Sequence, residues 1–286
     1  MAPEAHYRGR FAPSPTGPLH FGSLVTALGS FLDARANGGE WFVRIEDIDP
    51  PREQAGAAQT ILTQLISHGL QWDGDISYQS TRIGKYQDIL AEMADRELTY
   101  RCVCTRKQLT STPYPGTCRD SGEARSGEQH SLRVKTEKEP TRFTDSLHGQ
   151  ISERIDVIYG DYIIRRSDNL IAYNLAVAID DALQEISDVV RGADLLASTA
   201  RQIYLHKLLE LPSPRYAHLP LATDGTGRKL SKQSHAPILV DTEAPQTLVD
   251  ALRFLGQSPP IELFEDPVAA IVEWGIRNWD LGKVPR

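Results

Sequence analysis

The sequence predicts an α/β chain built on a doubly wound parallel sheet, with an inserted segment and a short helical C-terminal appendage. Three observations carry this. Short apolar strands alternate with helical patterns through the first hundred residues, which is the rhythm of a doubly wound sheet. A loop punctuated by Pro13, Pro15 and Gly17 runs straight into an amphipathic helix. From Thr99 to about Glu139 the texture changes to Cys, Thr, Pro, Gly, Ser and basic residues, and then regular patterning returns. A chain of 286 residues has room for a sizeable core and for about two domains.

Each element follows from its pattern. Leu24, Leu28, Phe31 and Leu32 fall at i, i+4, i+7 and i+8, a helical spacing that Gly38-Gly39 stops. Trp41-Phe42-Val43-Arg44-Ile45 reads as a buried strand ending in Glu46-Asp47-Ile48-Asp49-Pro50, and polar residues at such a carboxyl end sit where ligands bind. Helical patterns recur at Ile61, Leu62, Leu65 and Ile66 and at Ile83, Tyr86, Leu90 and Met93. Leu175, Val177 and Ile179 alternate as a strand does. Asp188 to Asp194 reads as a strand running into a turn, with Ser198 as cap of the next helix. Beyond Leu239 the chain is punctuated by proline and partly helical, from Leu248 to Leu255. The expected division is 1–98 and 187–240 for the two halves of the doubly wound domain. An insert takes 99–186 and the appendage takes 241–286.

Composition sets the class. With 40% hydrophobic and 24% charged residues this is an ordinary globular protein. Met1 to Gly9 holds no apolar signal core, and no stretch approaches membrane-spanning length. Three cysteines, an odd number, argue against a disulfide framework and for a reducing, cytoplasmic setting. The net charge is −7, but Thr99 to Arg142 carries nine Lys/Arg against five Asp/Glu, a hint of a phosphate-facing surface or simply of a solvated basic loop.

Three constellations carry chemistry. In Arg10 to Leu24, a proline-stiffened loop delivers His20-Phe21-Gly22-Ser23 to a helix N-terminus, where unpaired N–H groups and the positive helix end suit a triphosphate. Gly22 permits close approach of backbone and ligand. Gly227-Arg228-Lys229-Leu230-Ser231-Lys232-Gln233 sets two lysines around a serine on a loop able to bracket a phosphate chain. Cys102-Val103-Cys104 followed by Cys118 puts three thiolates on a Pro/Gly-rich segment, a set that suits Zn²⁺ with one ligand still to find. By spacing alone that ligand is His130 or water.

The stretch from Arg10 to Leu24 resembles the nucleotide-binding signature of class I aminoacyl-tRNA synthetases of the glutamyl branch, in which Pro-Ser-Pro-Thr-Gly precedes a "HIGH" element. Lys229-Leu230-Ser231-Lys232 is similar to four of the five positions of the same class's "KMSKS" loop. The resemblance implies a Rossmann-like catalytic domain that forms an aminoacyl-adenylate. It implies ATP, with Mg²⁺, held by His20, Gly22, Lys229, Ser231 and Lys232, of which His20 and Lys232 are catalytic. It places glutamate against Arg10, Phe11, Ala12, Pro13 and Ser14, with Glu46 facing the α-amino group and Tyr173 and Arg191 completing the site. A side-chain carboxylate favours the planar, permanently charged guanidinium, and two arginines argue for the acid over glutamine.

The pattern Cys-x-Cys…Tyr-x-x-x-Cys resembles that of the small paralogues called glutamyl-Q tRNA(Asp) synthetases, which implies Tyr114 as fourth ligand of one structural zinc beside Cys102, Cys104 and Cys118. Full glutamyl-tRNA synthetases carry a further anticodon-binding portion, whereas about fifty residues follow the lysine loop here. The resemblance thus implies activation of L-glutamate without tRNA and its transfer to queuosine in the anticodon loop of tRNA(Asp). Three alternatives stand beside it: a compact glutamyl-tRNA synthetase charging the tRNA 3′ end, a synthetase-like ligase with a small-molecule acceptor, and a non-enzymatic tRNA-binding paralogue. Oligomeric state is not legible.

Overall fold

The computed structural model describes residues 6–105, 107–109, 113–119, 129–222 and 239–286. Strand β1 (Arg8–Phe11) leads through the nucleotide-signature loop into helix α1 (Phe21–Ala36) and returns as β2 (Glu40–Ile45), parallel to β1. The turn out of α1 is made by Asn37 and by Gly38 at φ +65°. Helix α2 (Ala57–Ser67) precedes β3 (Ser77–Tyr78), which pairs in parallel with β2, and α3 (Ile83–Asp95) follows.

The next strands divide between two sheets. β4 (Thr99–Cys102) and β5 (Ser131–Val134) are antiparallel neighbours. β6 (Thr141–Asp145) and β7 (Gly149–Glu153) form an antiparallel hairpin. After the one-turn helix α4 (Ile155–Ile158), β8 (Ile163–Arg165) returns to pair with β5. Then come α5 (Tyr173–Leu183), β9 (Asp188–Gly192), α6 (Leu196–Leu208) and β10 (Arg215–Leu219), and β10 is parallel to both β9 and β6. The sheets are thus β1-β2-β3, β7-β6-β10-β9 and β4-β5-β8.

The first two sheets meet at β1 and β9. The Ser187 N–H donates to the Arg8 carbonyl at 3.0 Å, and the Arg8 N–H donates to the Ser187 hydroxyl at 2.8 Å. From this seam the chain winds outward both ways, through α1 to β2 and through α6 to β10. That is a topological switch point, and ligands of open α/β sheets bind at the carboxyl ends of the strands there.

Three expectations change. Residues 174–181 are helix α5, not a strand: all eight are buried, so burial on every side leaves no helical periodicity to read. Ser198 lies inside α6, whose N-cap is Leu195, without a side-chain cap bond. The segment 99–186 is not one unit, because β6 and β7 belong to the sheet of β9 and β10. The layer of β4, β5 and β8 is held by apolar packing. Val134 and Ile164 share an apolar cluster with Met93, Leu175, Ile179 and Leu205, so α3, α5 and α6 supply its core. At the other end α7 (Ala244–Phe254) and α8 (Val268–Asn278) lie against α1, and Leu248, Leu252 and Ile271 join Leu28, Leu32 and Trp41 in the main core. No helix of the described residues is long and apolar enough to cross a membrane.

Candidate active site and metal centre

A cavity of about 460 Å³ opens at the switch point. It brings together Arg10, Phe11, Ala12, Pro13 and Ser14 from β1 and its loop, His20 and Gly22 from the start of α1, Tyr173 from α5 and Arg191 from β9. Glu46 lines an adjoining cavity of about 270 Å³, which shares Ser14, Arg52 and Tyr173 with the first and reaches Ile163 and Arg166 on the insert side. Lys229, Ser231 and Lys232 lie outside the described residues, although Pro220, Leu221 and Ala222, which lead toward them, form part of the cavity wall.

Backbone bonds pin the loop that makes this wall. The Glu46 N–H donates to the Pro13 carbonyl at 3.0 Å, the Gln54 N–H to that of Pro15 at 2.9 Å, and the Leu19 N–H to Gln64 Oε1 at 2.7 Å. His20 is the N-cap of α1, its Nδ1 accepting the Ser23 N–H at 3.3 Å. No acidic residue stands in the first turn, so the positive end of a 16-residue helix is left for an anion. Gly22 has a second reason to be glycine: a Cβ there would sit 3.2 Å from the His20 ring.

Beneath the cavity floor lies a buried ionic network that sequence reasoning missed. Asp181 of α5 accepts from Arg10 Nε at 3.1 Å and Nη2 at 3.3 Å, and from Arg44 Nη1 at 2.8 Å. Arg44, wholly buried on β2, also reaches Gln184 at 2.9 Å and Glu46 at 3.4 Å. Asp180 takes bonds from Gln79, Arg82 and Tyr86 at 2.8, 2.9 and 2.7 Å. Burial opposes ionisation of Asp181, but the two guanidiniums outweigh it and hold its carboxyl well below the usual carboxylate range. At Glu46 burial wins over the attraction of Arg44 and Arg10, and its carboxyl is pushed up to about 7. Arg10 is therefore largely committed to Asp181 at the cavity floor.

Arg191 differs. It is buried on β9, and its partners are all neutral: Nε donates to His218 Nε2 at 3.1 Å, while Nη2 donates to the Thr199 hydroxyl at 2.7 Å and the Leu195 carbonyl at 3.4 Å. Nη1 has no partner. Among the described residues no carboxylate forms an ion pair with it. A guanidinium whose charge is not cancelled and that lines a cavity at a switch point has the chemistry to take a carboxylate.

The cysteines converge as their spacing predicted. The sulfurs of Cys102, Cys104 and Cys118 lie within 4.8 Å of one another, with Cys104 and Cys118 3.4 Å apart. The Tyr114 hydroxyl lies 3.4 Å from the Cys102 sulfur and 3.8 Å from that of Cys104, and accepts the Cys118 N–H at 2.9 Å. Sulfurs around tetrahedral zinc stand about 3.8 Å apart, so this donor set fits with little movement. His130 is not part of the cluster. Burial disfavours the Cys102 thiolate, but the Tyr114 hydroxyl and Arg133 outweigh it and bring the thiol down to about 7. Arg133 also covers the Tyr114 ring at 3.7 Å. Two of the basic residues expected to face a phosphate surface are used internally: Arg133 is buried, and Arg119 pairs with Asp161 at 3.1 Å.

A helix end without acidic residues, a buried guanidinium without a carboxylate partner among the described residues, and a cluster of three cysteines thus occur in one chain with a topological switch point. The model of the class I tRNA synthetases (E and Q), catalytic domain, matches residues 6–262, and the chain belongs to that family. Within the family it is similar along its whole length to proteins named glutamyl-Q tRNA(Asp) synthetase. It is 49% identical to that of Photobacterium profundum, over 100% of this chain and 92% of the relative. It is 48% identical to that of a Pseudomonas aeruginosa strain, over 98% and 96%. In fold it is similar to a glutamate tRNA ligase from Elizabethkingia meningosepticum, with a TM-score of 0.80 at 24% identity, across 97% of this chain and 65% of that longer one.

Removing the shared carboxylate should expose how much rests on it. Asp181→Ala leaves two buried guanidiniums short of a partner and should cost about 3–5 kcal/mol, measured by urea unfolding. Because the native carboxyl is held low, its stabilisation is complete above the ordinary carboxylate range and fades as pH falls toward the depressed value. The variant should lose that part of the acid sensitivity.

Proposed function

We propose that this chain activates L-glutamate with ATP, without tRNA, and transfers the glutamyl group to the queuosine base in the anticodon loop of tRNA(Asp). The observation that carries the choice of amino acid is Arg191, buried, lining the cavity and left with an unpartnered Nη1. Placing the side-chain carboxylate there sets the α-amino group toward Glu46, and the α-carboxylate toward the start of α1. An oxygen of that carboxylate attacks the α-phosphorus of ATP, the bond to the bridging oxygen of the β-phosphate breaks, and pyrophosphate leaves. His20 and the helix end offset charge on the phosphates, and Lys229, Ser231 and Lys232 contribute further positive charge and a hydroxyl donor to them. Mg²⁺ with the nucleotide supplies further neutralisation. In the second step a ring hydroxyl of queuosine attacks the acyl carbon and AMP departs. The adjoining cavity, walled by the catalytic sheet and the insert, offers room for a base beside the adenylate.

The names of relatives matched over 92–96% of their own length support the acceptor. The odd number of cysteines accords with a reducing cytoplasm. We further propose that Cys102, Cys104, Cys118 and Tyr114 hold one Zn²⁺ in a closed structural site, which fixes the loop carrying them to the insert through the Tyr114–Gly160 bridge.

Pyrophosphate exchange should proceed with glutamate in the absence of tRNA, and Lys232→Ala should slow it by about 10²–10³, the loss of one transition-state charge donor. No exchange without tRNA would count against activation as stated. Labelled glutamate should attach to queuosine-bearing tRNA(Asp) stripped of its 3′ adenosine and not to an unmodified transcript. Attachment to a tRNA(Glu) transcript that needs the 3′ adenosine would favour the compact glutamyl-tRNA synthetase instead. The purified chain should carry one equivalent of zinc. If Tyr114→Phe keeps metal content and affinity, water is the fourth ligand.

A further inference from the structure

Arg191 stands opposite His218 in the parallel register of β9 and β10, and His218 is fully buried. The guanidinium can only donate, so the imidazole Nε2 at 3.1 Å must accept and carries no proton. The proton therefore sits on Nδ1, which donates to Asp145 Oδ2 at 2.6 Å. The other oxygen, Oδ1, is fixed by the N–H groups of Leu147 and His148, both at 3.0 Å, where β6 turns into β7. Thr199 fills in the cluster, its hydroxyl 3.0 Å from His218 Nε2 and 2.7 Å from Arg191 Nη2. Burial favours the neutral imidazole over the pull of Asp145, in keeping with a single proton on the ring.

We infer that Asp145 and His218 are positioning residues for the glutamate receptor Arg191: Asp145 locks His218 as its Nδ1–H tautomer, and the bare Nε2 orients the guanidinium without cancelling its charge. The inference rests on the reading of Arg191 as the carboxylate receptor. The chemical need is specific. A carboxylate in the place of His218 would aim Arg191 equally well, as Asp181 does for Arg10, but would neutralise it before substrate arrived. An imidazole accepts the same bond with no net charge. It does so only if something at its far side holds the proton away from Arg191, and Asp145 is that group. Because Asp145 lies at the end of β6, the hairpin that leaves the insert region has a role in the receptor.

Asp145→Asn tests this at one atom. The Leu147 and His148 amides require the new side chain's oxygen at the Oδ1 position, so its NH₂ faces His218 Nδ1. The ring must then carry its proton on Nε2, donor against donor with Arg191. KM for glutamate in pyrophosphate exchange should rise by about ten- to a hundredfold, the range for opposing a buried donor, with KM for ATP unchanged. The ¹⁵N spectrum of the ring should move from the Nδ1–H to the Nε2–H pattern. His218→Gln, whose amide can donate to Asp145 and accept from Arg191, should have a glutamate KM several-fold below that of His218→Leu. A wild-type ring protonated on Nε2 would overturn the inference, as would a flipped ring with unchanged glutamate KM. It would also be overturned if the two KM values and the melting temperature shifted together, or if Gln and Leu behaved alike. Failure of the wild-type chain to exchange with glutamate would instead remove the functional reading, and the spectrum would still report the tautomer.

Discussion

One buried carboxylate holds the two halves of the molecule together. Asp181 on α5 receives Arg10 from β1 and Arg44 from β2, across 171 and 137 residues of sequence. Neither arginine has a solvent route for its charge, and a lone buried cation is costly enough to forbid the strands from packing as they do. The first three strands can therefore close their core only when α5 has arrived from beyond the insert. The cavity inherits this order. Its floor is Arg10, so the binding surface exists only in a chain whose late segments have docked on its early ones.

The two sheets that meet at β1 and β9 treat their arginines in opposite ways. Arg10 and Arg44 are paired with acids. Arg191, equally buried, is given an imidazole, a hydroxyl and a carbonyl. The difference in partner decides which cation keeps its field and which has it cancelled. Burial alone does not separate them, and neither does position at a strand's carboxyl end.

Much of this was legible from residue order. The signature loop, α1, β2, the two following helices and β9 each left a periodic or punctuated trace, and the three cysteines announced their meeting by spacing. What failed to show was one fully buried helix and the pairings made across long separations. Helix α5 carries no polar face, so Leu175, Val177 and Ile179 imitated a strand. The ionic network was visible only as an anomaly: Arg44 within the apolar run of Trp41 to Ile45, and Asp180-Asp181 closing the apolar run of α5. A charge in such a run requires a buried partner, but no local pattern says where the partner is. His218 was hidden for a similar reason, since a histidine in a short strand is unremarkable until the register sets it opposite Arg191. The hairpin of β6 and β7 escaped because strand pairing between distant segments leaves no sequence period at all.

The path of that hairpin bears on how the molecule can be taken apart. The chain enters the small antiparallel sheet at β4 and β5, leaves it to lay β6 beside β10, and comes back at β8. It departs for good at α5. The cysteine-bearing layer is thus sewn to the main sheet by alternating stitches and cannot swing as a flap on a single hinge. Nor can it be transplanted or excised as one contiguous piece. A graft from a relative would have to carry two separate segments in register and leave the 141–153 hairpin behind, so these layers can be inherited only as a pair.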